Sequence, residues 1–325
     1  MTKHSTEEEN EESVGNPQPV EETTSAEEIA EIKTLTDEIP VAKSDFWKLV
    51  RIQNLVIISL TLFIFTVVQA QYHIAEIKLF AGAMLLICSI LIAAAGYILN
   101  DIYDVETDKI NKPDKVFIDN TFSRTKAWFV YGIMSLLGVV FGFLVSYQMG
   151  FIAVTVVMML YFYSADLKKT VLKGNLLISF LSASVVFSSS QAVTDPNPQL
   201  LIFYTFFAFF VSFKRELIKD AEDIEGDEQT GAITFPVKFG FKKTVLLSLF
   251  ISFIVAVLML LAVTQQVEWK EVYLYVMLGL VILPLFAGDV IIWLKPTKKI
   301  FGIVSLILKI VMIVGILSAF LFNNA

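Results

Sequence analysis

Residues 79–108 read LFAGAMLLICSILIAAAGYILNDIYDVETD, an apolar stretch that runs directly into an asparagine and three aspartates. An α-helix needs about 20 predominantly apolar residues to cross the hydrocarbon core of a bilayer. The stretch therefore predicts a helix that crosses a membrane and ends in a turn rich in carboxylates.

The same kind of apolar block recurs along most of the chain. Hydrophobic residues make up 56% of the sequence and the mean hydropathy is +0.69, above the apolar share of soluble domains. The blocks cover roughly 46–70, 79–100, 125–147, 149–165, 175–193, 199–218, 244–264, 272–294 and 301–322. A membrane β-barrel would show short alternating segments instead. The sequence predicts an all-α membrane protein, a bundle of nine transmembrane helices.

The N-terminal residues have a different composition. Residues 1–44 carry twelve acidic side chains, three lysines and no aromatic residue, so they hold a charge of −9 and the remainder is about +2. Such a segment cannot bury enough apolar surface to fold. We expect a disordered acidic cytoplasmic tail over 1–44 and a transmembrane domain over 45–325.

Lysine and arginine in the short loops predict the orientation of the chain. With the N-terminus inside, the inner loops carry Lys109, Lys112, Lys115, Arg124, Lys168, Lys169, Lys173, Lys238, Lys242, Lys243, Lys295, Lys298 and Lys299. The opposite loops carry only Lys78 and Lys270. Because positive residues concentrate in cytoplasmic loops, we expect a cytoplasmic N-terminus and a C-terminus on the other side. A bacterial inner membrane is the expected host.

Two aspartate clusters follow the second and sixth blocks with one spacing. The first contains Asp101, Asp104 and Asp108, and the second contains Asp220, Asp223 and Asp227. Residues spaced i, i+3 and i+7 share one face of a helix. Acidic residues also occur as solvated helix ends, but the shared spacing favours a split Mg²⁺ site that binds substrate phosphates. The predicted orientation of the chain places both clusters on the cytoplasmic side.

Cations accompany the acidic clusters. Lys109, Lys112, Arg215 and Lys219 are close enough in sequence to neutralise phosphate oxygens, and arginine does so in a bidentate fork. For Lys112, the bias of positive charge toward inner loops explains its presence equally well. Arg215 lies deeper in an apolar block, where a charge is costly, so a functional role is favoured there.

Three motifs resemble those of a known family. Asn100-Asp101-x-x-Asp104-x-x-x-Asp108 resembles the first signature of the UbiA superfamily of intramembrane prenyltransferases. Arg215-Glu216-x-x-Lys219-Asp220-x-x-Asp223-x-x-Gly226-Asp227 is similar to the second. Tyr163-Ser164-x-x-Leu167-Lys168, followed by Lys173-Gly174-Asn175, is similar to the segment between the fourth and fifth spans. The similarity runs from about residue 46 to the end.

The resemblance implies a fold, a reaction and a set of site residues. It implies a central cavity that opens laterally to lipid, and Mg²⁺-dependent transfer of a polyprenyl group from its diphosphate to a lipophilic acceptor. The metal ligands implied are Asp101, Asp104, Asp108, Asp220, Asp223 and Asp227. The implied catalytic residues are Asp101, Asp104, Asp220, Asp223 and Tyr163. The implied substrate-binding residues are Asn54, Asn100, Lys168, Arg215 and Lys219. Asn54 could equally bond a neighbouring helix.

The segment after the first cluster bears on the acceptor. Residues 108–114, DKINKPD, most resemble the branch that makes digeranylgeranylglyceryl phosphate from geranylgeranylglyceryl phosphate, an ether-lipid precursor. Quinone branches share parts of this string, and residues 115–118, KVFI, depart from the common pattern. An aromatic acceptor is therefore the alternative, and a membrane transporter is the alternative from another class. Membrane lipids are expected partners, and nucleic acid is not.

Two charged residues lie inside the last two blocks. Asp289 and Lys309 are at similar distances from the loop at 295–299, on adjacent antiparallel spans. We expect them to form a buried ion pair. The alternative is that Lys309 binds an anionic acceptor.

Overall fold

The computed structural model describes residues 43–71, 73–264 and 270–322. These residues are almost entirely helical, and they contain no β-strand beyond two isolated bridges. The predicted disordered tail lies outside the described residues, apart from its last two positions.

Twelve α-helices follow one another along the described residues. The first six are α1 Lys43–Leu49, α2 Ile52–Gln69, α3 Leu79–Asn111, α4 Arg124–Val145, α5 Tyr147–Ala165 and α6 Lys173–Ser188. The others are α7 Pro198–Glu222, α8 Ile224–Gln229, α9 Phe235–Thr264, α10 Lys270–Val276, α11 Leu283–Leu294 and α12 Lys298–Ser318. A π-helical turn, Met277–Ile282, joins α10 to α11. Helix α9 is kinked at Gly240, whose φ of 75° favours glycine.

Eight helical segments within the described residues are long and apolar enough to cross a membrane. The sixth predicted block lies within α7, which is not among the eight because Lys214, Arg215 and Glu216 interrupt its apolar residues. The all-helical membrane architecture is confirmed, whereas the predicted number of nine spans is not.

The apolar cores show how the bundle is assembled. The largest buried cluster joins side chains of α7, α9, α11 and α12, including Leu217, Val255 and Leu308. A second cluster joins α1 to α4 around Leu49 and Ile98. Helix α3 packs along α4 and α5, and α7 packs against α6, α9 and α12. The short helix α8 contacts α3, so the segments that follow both aspartate motifs meet at one end of the bundle.

The spacing of the second aspartate cluster predicted that its three residues share one face of a continuous helix. The structure contradicts this prediction. Helix α7 ends at Glu222, and Asp223 caps it with φ −97° and ψ 9° before α8 begins. Asp220 therefore lies on α7 and Asp227 on α8. The chain bends at Asp223, and the bend directs α8 back toward α3.

The predicted ion pair between Asp289 and Lys309 is wrong. Asp289 pairs with Lys214 of α7, whose Nζ lies 2.7 Å from Oδ2, and both side chains are fully inaccessible. Lys309 instead donates to Oε1 of Gln53 on α2 at 3.3 Å. The similar depth of Asp289 and Lys309 on adjacent helices was not sufficient to predict their pairing, because Asp289 faces α7 rather than α12.

Candidate active site

A polar cavity of about 750 Å³, which includes its opening to solvent, lies where α3 and α7 end. Its walls come from α3, α5, α6, α7, α8 and the connections between them. The lining residues are Asn100, Asp104, Thr107, Asp108, Asn111, Tyr163, Lys168, Lys169, Gly174, Asn175, Glu216, Lys219, Asp220, Asp223, Asp227, Thr230, Ala232 and Thr234. Five of the six predicted aspartates share this cavity, so the fold brings the two clusters together.

The first cluster is held by amide and lysine donors. Asn100 donates to Oδ2 of Asp104 at 2.5 Å, one helical turn away. Lys168 donates to Oδ1 of the same carboxylate at 2.5 Å, and its Nζ comes from the connection between α5 and α6. Both oxygens of Asp104 are therefore fixed, and Lys168 lies at the cavity wall.

The second cluster is fixed in the same way from the opposite side. Asn175, in the first turn of α6, donates to Oδ2 of Asp220 at 2.7 Å. Lys112, just after α3, donates to Oδ2 of Asp223 at 2.6 Å. Each aspartate motif is thus held in part by a residue of another segment: Lys168 of the α5–α6 connection for the first, and Asn175 of α6 and Lys112 after α3 for the second.

Asn111 joins the ends of the two motifs. Its Nδ2 donates to the backbone oxygen of Asp223 at 2.9 Å, and its Oδ1 accepts from the backbone nitrogen of Gly226 at 3.0 Å. A Cβ at Gly226 would lie 2.3 Å from Nδ2 of Asn111, so only glycine leaves room for this side chain. The glycine of the second motif therefore makes possible the contact between α3 and α8.

The position of Lys168 depends on a second close approach. A Cβ at Gly174 would lie 2.7 Å from Cα of Lys168 and 2.9 Å from the backbone oxygen of Leu167. Leu172, just before α6, adopts the left-handed conformation with φ 61°. The backbone oxygen of Lys169 also accepts from the nitrogen of Ile233 at 2.8 Å, which ties this connection to the segment after α8.

Burial shifts the pKa values of residues in and beside the cavity. Burial lowers the pKa of Lys168, and the nearby Asp104 carboxylate only partly offsets this effect. Burial also acts to lower the pKa of Lys112, but the attraction and hydrogen bond of Asp223 outweigh it and raise that pKa. Burial raises the pKa of Asp227 to about 6, and the charges of Asp223 and Asp104 add to the rise. The lining has six carboxylates and three lysines, so the cavity has more acidic than basic side chains.

The donor set fits a hard divalent cation. The side-chain oxygens of the lining belong to carboxylates, amides and hydroxyls, and oxygen atoms are the ligands that Mg²⁺ prefers. No lining side chain carries sulfur or imidazole. Oδ1 of Asp223 is buried in the cavity without a hydrogen-bond partner. Within the part of the chain that the structure describes, no three acidic side chains converge on one ion position. Lys168 instead forms an ion pair with Asp104, and Lys112 forms one with Asp223. A bound cation would replace these contacts.

Three predicted site residues lie outside the cavity lining. Asp101 accepts from Nη2 of Arg51 at 2.7 Å, and Arg51 also lies over the ring of Tyr97, 5.2 Å from its centroid. Arg215 donates to Oε1 of Glu216 at 3.0 Å. Asn54, the third, is on α2 close to Tyr97. These residues form a layer beside the cavity.

The sequence interpretation assigned no role to several residues that shape the site. Glu216 lines the cavity between Arg215 and Lys219, whose Nζ donates to its Oε2 at 3.2 Å. Its position between two cations at helical spacing was a usable signal. Asn175 lay in a quoted motif as well, but its contact with Asp220 spans 45 positions and depends on the packing of α6 against α7.

Comparison with known proteins identifies the family. The model of the UbiA prenyltransferase family matches residues 58–320, which is most of the chain and includes every cavity-lining residue. The chain belongs to the UbiA prenyltransferase family. This membership makes it a prenyltransferase, as the sequence predicted, and removes the transporter alternative.

Individual UbiA relatives are similar over much of their length. A digeranylgeranylglyceryl phosphate synthase of Sulfurisphaera tokodaii is 34% identical over 61% of this chain and 71% of its own length. A synthase of the same name from Methanococcus aeolicus is 30% identical over 84% of this chain and 95% of its own length.

Solved structures share the UbiA fold. A structure described as giving mechanistic insight into digeranylgeranylglyceryl phosphate synthase in membranes has a TM-score of 0.65 at 24% identity, covering 85% of this chain and 98% of its own. A UbiA homologue of Archaeoglobus fulgidus, bound to GPP and Mg²⁺, has a TM-score of 0.62 at 16% identity, covering 83% and 99%. At these identities the likeness establishes the fold.

Proposed function

We propose that this UbiA prenyltransferase transfers a polyprenyl group from its diphosphate to geranylgeranylglyceryl phosphate, with Mg²⁺ as cofactor and pyrophosphate as product. One observation carries the proposal: aspartates of both motifs line one cavity together with Lys168 and Lys219. The relatives from Sulfurisphaera tokodaii and Methanococcus aeolicus, both named digeranylgeranylglyceryl phosphate synthase, support this acceptor. The homologue that binds GPP and Mg²⁺ supports the donor and the metal.

The proposed roles follow the cavity walls. Asp104, Asp108, Asp220, Asp223 and Asp227 would hold Mg²⁺, which would screen the charge of the diphosphate and of the departing pyrophosphate. Asp101 would support this set through its ion pair with Arg51. The diphosphate-binding roles of Asn54 and Arg215 stay predictions, because both lie outside the lining.

The chain's own residues would act on the donor. Lys168 and Lys219 would donate to diphosphate oxygens, and Asn100 would orient Asp104. Tyr163, in the cavity wall, would border the prenyl carbon. The bond between that carbon and the diphosphate breaks, and its electron pair leaves with pyrophosphate. The prenyl carbon is left as a carbocation. The acceptor hydroxyl oxygen then forms the ether bond and loses its proton. A site within the bundle would keep water from capturing the carbocation.

We also propose a sidedness. The positive residues of the loops support a cytoplasmic N-terminus and active site, with the C-terminus on the opposite side. The bacterial identity of the host membrane stays a prediction from the sequence, and the two relatives described above come from archaea.

Purified full-length protein would test the function. We expect pyrophosphate release from geranylgeranyl diphosphate and geranylgeranylglyceryl phosphate, and its loss with EDTA. Asp104→Asn and Asp220→Asn are expected to lower kcat by at least a hundredfold. Glu106→Gln, on the same helix but outside the cavity lining, is the matched control and should leave activity unchanged. Transfer to an aromatic acceptor alone would refute the proposed acceptor, and full activity of both aspartate variants would refute the proposed site.

A further inference from the structure

Lys309 is a cation inside a membrane-spanning helix. It lies near the middle of α12, and its Nζ donates to the exposed amide of Gln53 at 3.3 Å. Among the described residues, no carboxylate lies within 4 Å of this Nζ. A charged side chain within a bilayer is costly unless it has a partner or lines a functional site. A neutral amide alone does not compensate the charge of Lys309.

Lys309 lies at the depth of the first aspartate cluster. Lys298 begins α12 and donates to the backbone oxygen of Asn111, the last residue of α3. With a rise of 1.5 Å per residue, Lys309 is about 16 Å along α12 from this contact. Asp101 is about 15 Å along α3 from the same point. Lys309 is therefore beside the active-site level and on the α2 side of the bundle.

Arg215 adds a second positive charge to this position. It is close enough for its charge to act on Lys309. One guanidinium nitrogen pairs with Glu216, but Nε is buried and has no hydrogen-bond partner. Two like charges that act on each other, one of them with an unsatisfied buried donor, favour the binding of an anion near them.

An apolar cavity begins one helical turn deeper on the same helices. It has a volume of about 390 Å³, and its walls include Ile57, Ser212 and Met312. Ile57 follows Gln53 by four positions on α2, and Met312 follows Lys309 by three on α12. Ser212 precedes Arg215 by three positions on α7, which runs in the opposite direction. The arrangement places a cationic edge directly above an apolar space between the helices.

We infer that Lys309, Gln53 and Arg215 bind the phosphate of the lipid acceptor, and that the apolar cavity beneath them receives part of its chain. Arg215 would then serve the acceptor instead of the diphosphate that the sequence predicted for it. The inference rests on the proposed function, which supplies an acceptor with one phosphate. The donor diphosphate has its own ligands in the aspartate cavity, so this second cationic position serves the second anion of the reaction. Its depth beside Asp101 brings the acceptor head next to the reacting carbon.

Acceptor kinetics of the full-length enzyme in nanodiscs would test the inference. Lys309→Met is expected to raise the KM for the phosphorylated acceptor about tenfold, as expected for loss of one hydrogen bond to a charged group. The KM for the prenyl diphosphate should not change, and Lys309→Arg should restore most of the affinity. Lys299→Met, a matched change at the exposed end of α12, should have no effect.

The phosphate dependence separates this role from a structural one. With the unphosphorylated glyceryl ether as acceptor, wild type and Lys309→Met should have the same KM. An equal loss with both acceptors, a change in the donor KM, or an unchanged acceptor KM would overturn the inference. So would an effect seen only in nanodiscs that contain anionic lipid, because Lys309 would then bind a membrane headgroup. Failure of wild type to use the phosphorylated acceptor would instead refute the proposed function.

Discussion

Lys214 and Asp289 form an ion pair with an N–O distance of 2.7 Å in a fully inaccessible position between α7 and α11. Residues of α9 and α11 make further hydrogen bonds to the pair. Ser248 donates to Oδ1 of Asp289, and Lys214 also donates to Oγ of Ser252 and to the backbone oxygen of Leu285. The pair thus fixes the register of α7, the helix that carries Arg215, Glu216 and Asp220.

Lys214→Met is expected to destabilise the protein by about 3–5 kcal/mol, because Asp289 would remain buried without its partner. The double variant Lys214→Met/Asp289→Asn should recover a large part of this loss, since no unpaired charge remains. The free energy of unfolding in mixed micelles, measured by denaturant titration of the purified variants, gives both values.

Lys309→Met serves as the control for the pairing of Lys214 with Asp289. Lys309 does not contact Asp289, so its effect on unfolding should add to that of Asp289→Asn without a coupling energy. A coupling of Asp289 to Lys309 as large as that to Lys214 would contradict the ion pair in the structure.

Gly226→Ala is expected to separate the two aspartate motifs. The added Cβ would lie 2.3 Å from Nδ2 of Asn111, and the displaced side chain would lose its bonds to Asp223 and Gly226. We expect kcat to fall at least tenfold while the protein still folds, because the contact lies at the edge of the bundle. Prenyl transfer at saturating Mg²⁺, together with the melting temperature, tests this.

Two further variants show whether the steric contact is the cause. Gly132→Ala, where nothing lies within 4 Å of the added Cβ, should leave the activity at the wild-type level. Gly226→Ala/Asn111→Ser, which removes the clash, should be more active than Gly226→Ala. If the double variant were no better, the loss of the Asn111 hydrogen bonds or strain in α8, and not the clash, would be the cause.

The sequence was sufficient for the fold class and for naming half of the residues that line the cavity, because both depend on local patterns. Long apolar blocks predict membrane helices whatever their neighbours are, and the two aspartate motifs follow the second and sixth of these blocks with one spacing. It was not sufficient for side-chain partners that come from distant segments. Lys214 lies beside Arg215 in the sequence, and nothing there indicates that one faces α11 and the other the active-site layer.

Helix geometry limited the interpretation in a second way. The i, i+3, i+7 spacing of Asp220, Asp223 and Asp227 assumed one continuous helix, whereas α7 ends at Glu222. The spacing still identified three residues of one cavity, because α8 turns back toward α3. Glycine at position 226 was the local sign of this close approach, and its partner Asn111 is 115 positions away.

Gly174→Ala is expected to reduce prenyl transfer by displacing Lys168. Its Cβ would approach Cα of Lys168 to 2.7 Å, and backbone cannot yield as a flexible side chain does. The bond from Lys168 to Asp104 should weaken, so we expect the KM for the prenyl diphosphate to rise several-fold. Steady-state kinetics with Lys168→Met in parallel should show the same direction of change. A normal donor KM in both variants would remove Lys168 from the diphosphate site.

The pKa of Asp227, raised to about 6 by burial, predicts a pH dependence of metal binding. Its carboxyl group is ionised above pH 6 and increasingly protonated below it, and only the ionised form binds Mg²⁺. The apparent KM for Mg²⁺ should therefore be nearly constant from pH 7 to 8 and rise as the pH falls from 6.5 to 5.5. Asp227→Asn should raise this KM at pH 8 and make the rise at low pH smaller.

Asp114→Asn, an exposed change outside the cavity lining, is the matched control and should reproduce the wild-type profile. A wild-type KM that stays constant down to pH 5.5 would show that Asp227 does not bind the metal.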